Sequence, residues 1–85
     1  MKVQLLYFAW VREKTGLGAE QLELPTELKS VADLIQWQQQ RAPQFGEAFA
    51  DTDAIRVALD QQHVTNDALL AGAREIAFFP PVTGG

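Results

Sequence analysis

The sequence predicts an α+β fold, with a mixed sheet of about five strands and one main helix packed on one face. Two observations support this prediction: short segments in which apolar residues alternate, and a longer segment with helical periodicity between the opening strands and the later ones. The chain has 85 residues, of which 47% are hydrophobic. This is enough for one domain with a single core and too little for two.

The opening residues predict two strands. Apolar residues alternate in residues 2–9, and because both faces carry some of them, this strand should lie at the centre of the sheet. One face consists of Val3, Leu5 and Tyr7, and the other of Gln4, Leu6 and Phe8. Residues 10–19 contain two glycines and are interpreted as a connection with room for one helical turn. Residues 21–24 predict a second strand that stops at Pro25.

A helix is predicted to begin after Ser30 and to end near Arg41. Ser30 can cap the helix start, and Asp33 stands at the third position, where its carboxylate can return the hydrogen bond. The residues expected to share its packing face are Val31, Leu34, Ile35 and Gln38. Pro43 ends the helix, because the residue before a proline disfavours helical backbone.

The second half of the chain predicts three more strands. Residues 45–53 are less regular and allow a short second helix, and residues 55–59 alternate as a third strand. Residues 60–62 predict a turn, 63–64 a short return strand and 75–79 the last strand. With right-handed crossovers, the first and last strands can lie side by side and parallel at the centre, which is the arrangement of a β-grasp domain.

Composition and charge argue against several classes of function. Lys and Arg total 7 against 11 Asp and Glu, and a net charge of −4 does not suit binding to nucleic-acid phosphates. Cysteine is absent, which excludes disulfides and thiolate-bound zinc, and a single histidine, His63, excludes a histidine metal cluster. No segment reaches the roughly 18 apolar residues of a membrane helix, and the opening residues lack a signal-peptide cleavage pattern. We therefore expect a cytoplasmic protein that binds no metal, nucleic acid or membrane.

The side chains offer no catalytic constellation. Asp51 and Asp53 are two residues apart and could hold a metal or support acid–base chemistry, but a solvated loop is the simpler interpretation. Gly16 and Gly18 form only part of a dinucleotide-binding pattern and predict a turn. The strongest candidate for chemistry is instead the ending FFPPVTGG.

An extended arm is predicted after the last strand. Pro80 and Pro81 have no N–H group, so they stop sheet pairing and favour extended backbone. Residues 82–85 then span about 13–14 Å if fully extended. Because the last two residues are glycines without a Cβ, the arm could enter a channel too narrow for any side chain. The predicted organisation is a β-grasp domain over residues 1–81 and an extended tail over residues 82–85.

The α-carboxylate of Gly85 is the candidate reactive group, and its neighbour Gly84 leaves it without steric shielding. A carboxylate is ionised at neutral pH and resists nucleophiles until it is activated, for example by adenylation. A sulfur donor could then convert it to a thiocarboxylate, so that the domain would carry reactive sulfur without a cysteine. The alternative is an inert glycine tail or a remnant of cloning.

The two ends of the sequence resemble the MoaD family, the small subunits of molybdopterin synthase. The resemblance is carried by the opening VQLLYFAWVRE and the ending EIAFFPPVTGG, and the element order matches through the whole chain. It implies a ubiquitin-like β-grasp fold and a sulfur carrier that binds no cofactor itself. A separate E1-like enzyme, similar to MoeB, would adenylate the terminal glycine with ATP and Mg²⁺, and a sulfur donor would supply the thiocarboxylate.

The resemblance also implies a partner. The carrier would insert its tail into a large subunit similar to MoaE, in a heterotetramer with two small subunits at the ends of a large-subunit dimer. There the sulfur would pass to cyclic pyranopterin monophosphate, and two such transfers would build the dithiolene of molybdopterin. The large subunit would supply the catalytic side chains, including lysines.

The resemblance implies site residues position by position. Gly85 would carry the sulfur, with Gly84 as its slim neighbour. The inserted arm would consist of Pro80, Pro81, Val82 and Thr83. Phe8 and Phe79 would be exposed docking residues, and alternation independently puts both opposite the core-facing residues; the alternative is burial of both under a loop. His63 stands where the family often has an apolar docking residue.

Three other functions stay open on the sequence alone. A ThiS-like carrier for thiazole synthesis would use the same chemistry, although such chains are usually shorter and the Phe-Phe-Pro-Pro ending argues against it. A ubiquitin-like modifier would form an isopeptide bond between Gly85 and a lysine. A plain binding module would have an inert tail.

Overall fold

The structure, a computed structural model, describes residues 1–81 of the chain. Its elements in chain order are β1 (Lys2–Tyr7), α1 (Ala9–Thr15), β2 (Ala19–Glu23), α2 (Val31–Arg41), α3 (Pro43–Ala48), a short 3₁₀ helix (Thr52–Ala54), β3 (Arg56–Leu59), β4 (Gln62–Val64) and β5 (Glu75–Phe79). The strands form one sheet in the order β2-β1-β5-β3-β4.

The centre of this sheet is a parallel pair. β1 lies beside β5 with Tyr7 opposite Phe78, whereas the β1–β2, β3–β5 and β3–β4 pairs are antiparallel. This confirms the prediction that the first and last strands are parallel neighbours. The longest helix, α2, packs on one face of the sheet, here named the inner face, and the opposite face is the outer face. The result is an α+β fold of the β-grasp type, as predicted.

The start of α2 is held by a capping box. The Ser30 hydroxyl accepts from the Asp33 backbone N–H (3.2 Å), and the Asp33 carboxylate accepts from the backbone N–H groups of Lys29 (2.9 Å) and Ser30 (3.1 Å). These hydrogen bonds lower the pKa of Asp33. The four residues predicted to share the packing face of α2 are all buried: Val31, Leu34, Ile35 and Gln38. The helix ends at Arg41, two residues before Pro43, so sequence and structure agree along its whole length.

The core lies between the inner face and the helices. Inner-face strand residues that are buried include Val3, Leu5, Tyr7, Val57, Ile76 and Phe78. Aromatic rings form its centre: Phe78 stacks on Tyr7 at a centroid distance of 5.6 Å and meets Phe49 edge to face at 5.0 Å. The last strand is therefore anchored by its inward side chains, which leaves its outward side chains available to face a partner.

A polar network crosses this core between the sheet and α2. The Tyr7 hydroxyl donates to Glu20 Oε2 (2.6 Å) and accepts from Gln38 Nε2 (2.8 Å). Arg41 donates to both carboxylate oxygens of Glu20 (2.7 and 3.0 Å) and to Gln38 Oε1 (2.9 Å). Because each group has a partner, the cost of removing it from water is offset. The network ties the edge strand β2 to β1 and to the end of α2.

The network shifts the pKa values of two of its members in opposite directions. Burial raises the pKa of the Tyr7 hydroxyl far above its ordinary value, and the hydrogen bond to Glu20 raises it further. Burial alone would raise the pKa of Glu20, but the hydrogen bonds from Arg41 and Tyr7 and the charge of Arg41 outweigh it, so the pKa is lowered. At neutral pH Tyr7 is therefore neutral and Glu20 ionised.

The segment after β1 is more helical than the sequence indicated. Instead of a connection with one helical turn, α1 occupies seven residues and begins directly after Phe8, whose carbonyl accepts from the backbone N–H groups of Val11 (3.1 Å) and Arg12 (3.3 Å). Phe8 offers no side-chain cap, so the usual start signal is missing. Burial of Val11 and Thr15 stabilises the helix, and Gly16, with φ of +79°, ends it.

Candidate functional site

The predicted reactive tail lies outside the described residues. The structure describes residues 1–81. The roles assigned to Val82, Thr83, Gly84 and Gly85 therefore stay predictions. What the structure does describe is the base from which this tail departs and the surface around that base.

The base of the tail is the end of β5, at the centre of the sheet. The Phe8 backbone N–H donates to the Phe78 carbonyl (3.0 Å) and so continues the β1–β5 pairing beyond Tyr7. β5 ends at Phe79, and Pro80 and Pro81 follow without N–H donors, as predicted. The tail therefore leaves from a strand that is paired on both sides, and its point of departure is well defined.

The two predicted docking aromatics lie at the same level of adjacent strands on the outer face. Tyr7 and Phe78 are opposite each other and point inward, so the next residue in each chain segment, Phe8 and Phe79, points outward. Phe8 is 48% exposed and Phe79 is partly exposed. Neither is buried under a loop, which rules out the alternative arrangement raised by the sequence.

His63 lies beside Phe79, as its assignment to the same docking surface requires. It is exposed on the edge strand β4, and its ring centroid is 4.9 Å from that of Phe79, with the planes tilted by 51°. The sheet register makes this possible, because Ala58 of β3 stands between His63 on one side and Ala77 of β5 on the other. The small alanine side chains leave room for the imidazole to reach the aromatic ring.

The outer-face residues around the tail base, of which Ala58 and Ala77 are buried, are here named the docking patch. It consists of Leu6, Phe8, Arg56, Ala58, His63, Ala77 and Phe79. Sequence reasoning did not assign Leu6, Ala58, Ala77 or Arg56 to it. The outward alternation of Leu6 and Ala77 was readable from the sequence, but the inclusion of Ala58 and Arg56 required the register between β3 and β5.

The remaining candidate groups have structural explanations within residues 1–81. The Asp51 carboxylate accepts from the Asp53 backbone N–H (3.1 Å) and caps the 3₁₀ helix before β3. Gly16 supplies the predicted turn. No group of three or more His, Cys, Asp or Glu side chains suited to a metal ion occurs in this part of the chain. Across the same residues, no helix combines the length and apolar character needed to cross a membrane.

Comparison with known proteins agrees with the geometry. A model of the ThiS family matches residues 5–85. The molybdopterin synthase sulfur carrier subunit of Escherichia coli K12 is 35% identical over 83 residues, which cover 98% of this chain and 99% of that protein. Among solved structures, a putative molybdopterin converting factor subunit 1 from Pyrococcus furiosus has a TM-score of 0.74 at 32% identity and covers 96% of this chain and 99% of its own.

A second solved structure shows how widely the fold is shared. SAMP1 from Haloferax volcanii has a TM-score of 0.73 and covers 100% of both chains, at 23% identity. At that identity the likeness concerns the fold alone. The family match, by contrast, extends through the tail, and the E. coli relative aligns along nearly its whole length. The chain therefore belongs to the ThiS/MoaD family of ubiquitin-like proteins.

Proposed function

We propose that this chain is the sulfur carrier subunit of a molybdopterin synthase and that Gly85 bears the sulfur. The observation that carries the proposal is the near full-length similarity to the E. coli protein of that name, which joins a family match reaching residue 85. The docking patch supports it, since the exposed Phe8 and the partly exposed Phe79 lie at the base of the proposed tail.

The proposed chemistry uses the main chain rather than a side chain. The Gly85 carboxylate attacks the α-phosphorus of ATP on a separate Mg²⁺-dependent adenylating enzyme, which gives an acyl-adenylate and releases pyrophosphate. A sulfur donor then displaces AMP, and the product is the Gly85 thiocarboxylate. In the large subunit this sulfur passes to cyclic pyranopterin monophosphate. The carrier itself binds no cofactor in this scheme, and a cytoplasmic location would give it access to ATP.

The fold contributes reach and orientation. The paired end of β5 gives the tail a fixed origin. The two prolines would direct the tail away from the sheet, because they cannot donate to a ladder. Docking through Phe8 and Phe79 would aim the tail into the large subunit, because both residues lie at that origin. Gly84 and Gly85 would then pass a constriction that side chains could not enter.

The alternatives gain less support from the comparisons. The family model bears the name ThiS, but the curated relatives are molybdopterin synthase sulfur carrier subunits. The solved structures of SAMP1 and of the small archaeal modifier protein 1 from H. volcanii are similar at 23% and 19% identity, which concerns the fold alone. No described feature favours thiazole synthesis or protein conjugation over the proposed function.

Intact mass spectrometry tests the proposal directly. The protein is incubated with the adenylating enzyme, ATP, Mg²⁺ and a sulfur source, and we expect one terminal oxygen to be replaced by sulfur. Covalent attachment to lysines of other proteins would instead identify a modifier. A variant lacking Gly84 and Gly85 should fold normally and yield no molybdopterin with the large subunit. Synthesis of molybdopterin by this truncated chain would refute the assignment.

A further inference from the structure

One side of the docking patch carries an arginine that no carboxylate of the described residues neutralises. Arg56 stands directly opposite Phe79 in the β3–β5 pair, so the two side chains leave the sheet next to each other on the outer face. Its Nη1 donates to the backbone carbonyl of Asp53 (3.2 Å), which holds the guanidinium at the tail-base end of β3. Within residues 1–81, no acidic oxygen lies within 4.0 Å of its nitrogens.

His63 adds a second nitrogen group on the same side. Its ring packs against Phe79 from β4, while Arg56 flanks Phe79 from β3. No hydrogen bond joins the His63 ring to any group of the described residues, and the side chain is exposed. The acidic residues nearest in sequence to the two groups are Asp53, Asp60 and Asp67. Asp53 lies in the 3₁₀ helix before β3, the Asp60 carboxylate accepts from the backbone N–H groups of Arg74 and Glu75 (3.0 Å each), and the Asp67 carboxylate accepts from the Thr65 hydroxyl.

The docking patch is therefore divided into two halves. On the β1 side, Leu6 and Phe8 are purely apolar. On the β3–β4 side, Arg56 and His63 present N–H donors beside the aromatic ring of Phe79. This basic half is unusual on a chain with a net charge of −4, since most of the protein surface would repel an acidic partner.

We propose that the docking surface of the large subunit places a carboxylate against Arg56 and His63 and an apolar surface against Leu6 and Phe8. This inference rests on the proposed function, because it concerns the partner that the function requires. A guanidinium covered by an apolar surface would lose its water without gaining an acceptor, and that cost is large. A carboxylate opposite it would accept charge-assisted hydrogen bonds and would set the orientation of the tail.

The two halves also make the interface directional. An apolar patch alone can slide or rotate on a partner at little cost, since the hydrophobic effect has no directionality. In a wrong orientation, the partner's carboxylate and the Arg56 guanidinium would be separated, and each charge would be covered without its opposite charge. This cost disfavours the wrong orientation. Because both basic residues flank Phe79, the penalty acts next to the base of the tail, where orientation matters most.

Leucine substitutions at Arg56 and His63 distinguish an acidic partner surface from an apolar one. They should weaken binding to an acidic surface and leave unchanged or strengthen binding to an apolar one. The probe is the purified large subunit from the same organism, and affinity is measured by calorimetry with Arg56→Leu, His63→Leu and the double variant. We expect Arg56→Leu to weaken binding by about tenfold and the double variant by more. Arg56→Lys should retain most of the affinity, since it keeps the charge. Lys29→Leu, which removes one positive charge beside α2, should change the affinity by less than about twofold.

Salt dependence supplies the second measurement. Between low and high sodium chloride, the association rate of the wild-type chain should fall, and that of the double variant should fall much less. Unchanged or tighter binding by the leucine variants, or equal salt dependence, would overturn the inference while leaving the proposed function intact. A wild-type chain that does not bind the large subunit at all would instead refute the proposed function.

Discussion

Phe8 provides the sharpest test of the docking patch, because its exposed area sets the size of the expected effect. The perturbation is Phe8→Ala. Phe8 is at the N-terminal boundary of α1, but it makes no side-chain capping bond, so alanine removes only the ring. The backbone hydrogen bond from the Phe8 N–H to Phe78 is independent of the side chain and should persist.

The magnitude follows from the exposed fraction. A phenylalanine offers roughly 200 Å² of surface, and the 48% that is exposed amounts to about 100 Å² available for burial by a partner. At about 25 cal/mol per Å² this area contributes roughly 2 kcal/mol to binding after allowance for the remaining alanine. That corresponds to an increase of about 30-fold in Kd. The other half of the ring is buried within the domain, so its removal should also lower the free energy of unfolding by a comparable amount.

The assay is isothermal titration calorimetry against the large subunit, at a temperature where circular dichroism shows that the variant is folded. Leu69→Ala is the matched control. Leu69 is the other large hydrophobic residue exposed in the described chain, at 68%, and it pairs with Ser30 beside α2 rather than on the outer face. It should lose less than about twofold in affinity. If Phe8→Ala binds within twofold of the wild type, Phe8 is not part of the interface.

Further predictions concern binding and stability. Phe79→Asp should weaken binding to the large subunit strongly, since an unpaired charge would be buried beside the tail base; unchanged affinity would remove Phe79 from the interface. The pKa of Glu20 is lowered in the fold, so the stability that its charge contributes is present above the ordinary pKa of 4.5 and is lost as pH falls through the folded pKa. In acid denaturation, Glu20→Gln should therefore lose stability less steeply than the wild type. Gln61 has φ of +71° in the β3–β4 turn, so Gln61→Gly should stabilise the fold by about 1 kcal/mol and raise Tm by several degrees. Ser30→Ala should cost about 1 kcal/mol, measured by urea unfolding, because the cap of α2 is lost.

Each of these has an outcome that contradicts its reasoning, and for Ser30→Ala it is an unchanged midpoint of urea unfolding. A parallel acid profile for Glu20→Gln and the wild type would mean that the ion pair with Arg41 does not stabilise the fold. A fall in Tm for Gln61→Gly would show that side-chain contacts outweigh the backbone preference. The matched control for that change is Gln62→Gly, at the first residue of β4 and paired with Leu59, which should destabilise because glycine is disfavoured in a strand.

Local chemistry is what the sequence predicted well. The alternation of residues 2–9 and 75–79 depends only on which faces are apolar. β5 forms over the predicted residues, whereas β1 ends at Tyr7, two residues earlier than predicted, because α1 begins at Ala9. The capping box of α2 involves residues three apart, so it could be read directly from Ser30 and Asp33. The sequence predicted only one turn where α1 has seven residues, because the start of this helix lacks a side-chain cap and its stability comes from burial of Val11 and Thr15.

The buried network was not predicted, because its members are distant in the chain. Tyr7 was assigned to the inner face, but its partners Glu20 and Gln38 come from β2 and α2. Neither spacing nor composition indicates that these three polar groups and Arg41 meet in one place. The closure of the sheet against α2 brings them together and sets their pKa values.

The sequence by itself determined α2, the five strand segments, the Pro-Pro step that ends the last strand, and the outward direction of Phe8 and Phe79, because each depends on neighbouring residues. Only the tertiary structure decided what surrounds the tail base. Arg56 and His63 come from separate strands, and the register of β3 with β5 and β4 places both beside Phe79. A shift of one residue would turn their side chains to the other face, so the basic half of the docking patch is a property of strand pairing.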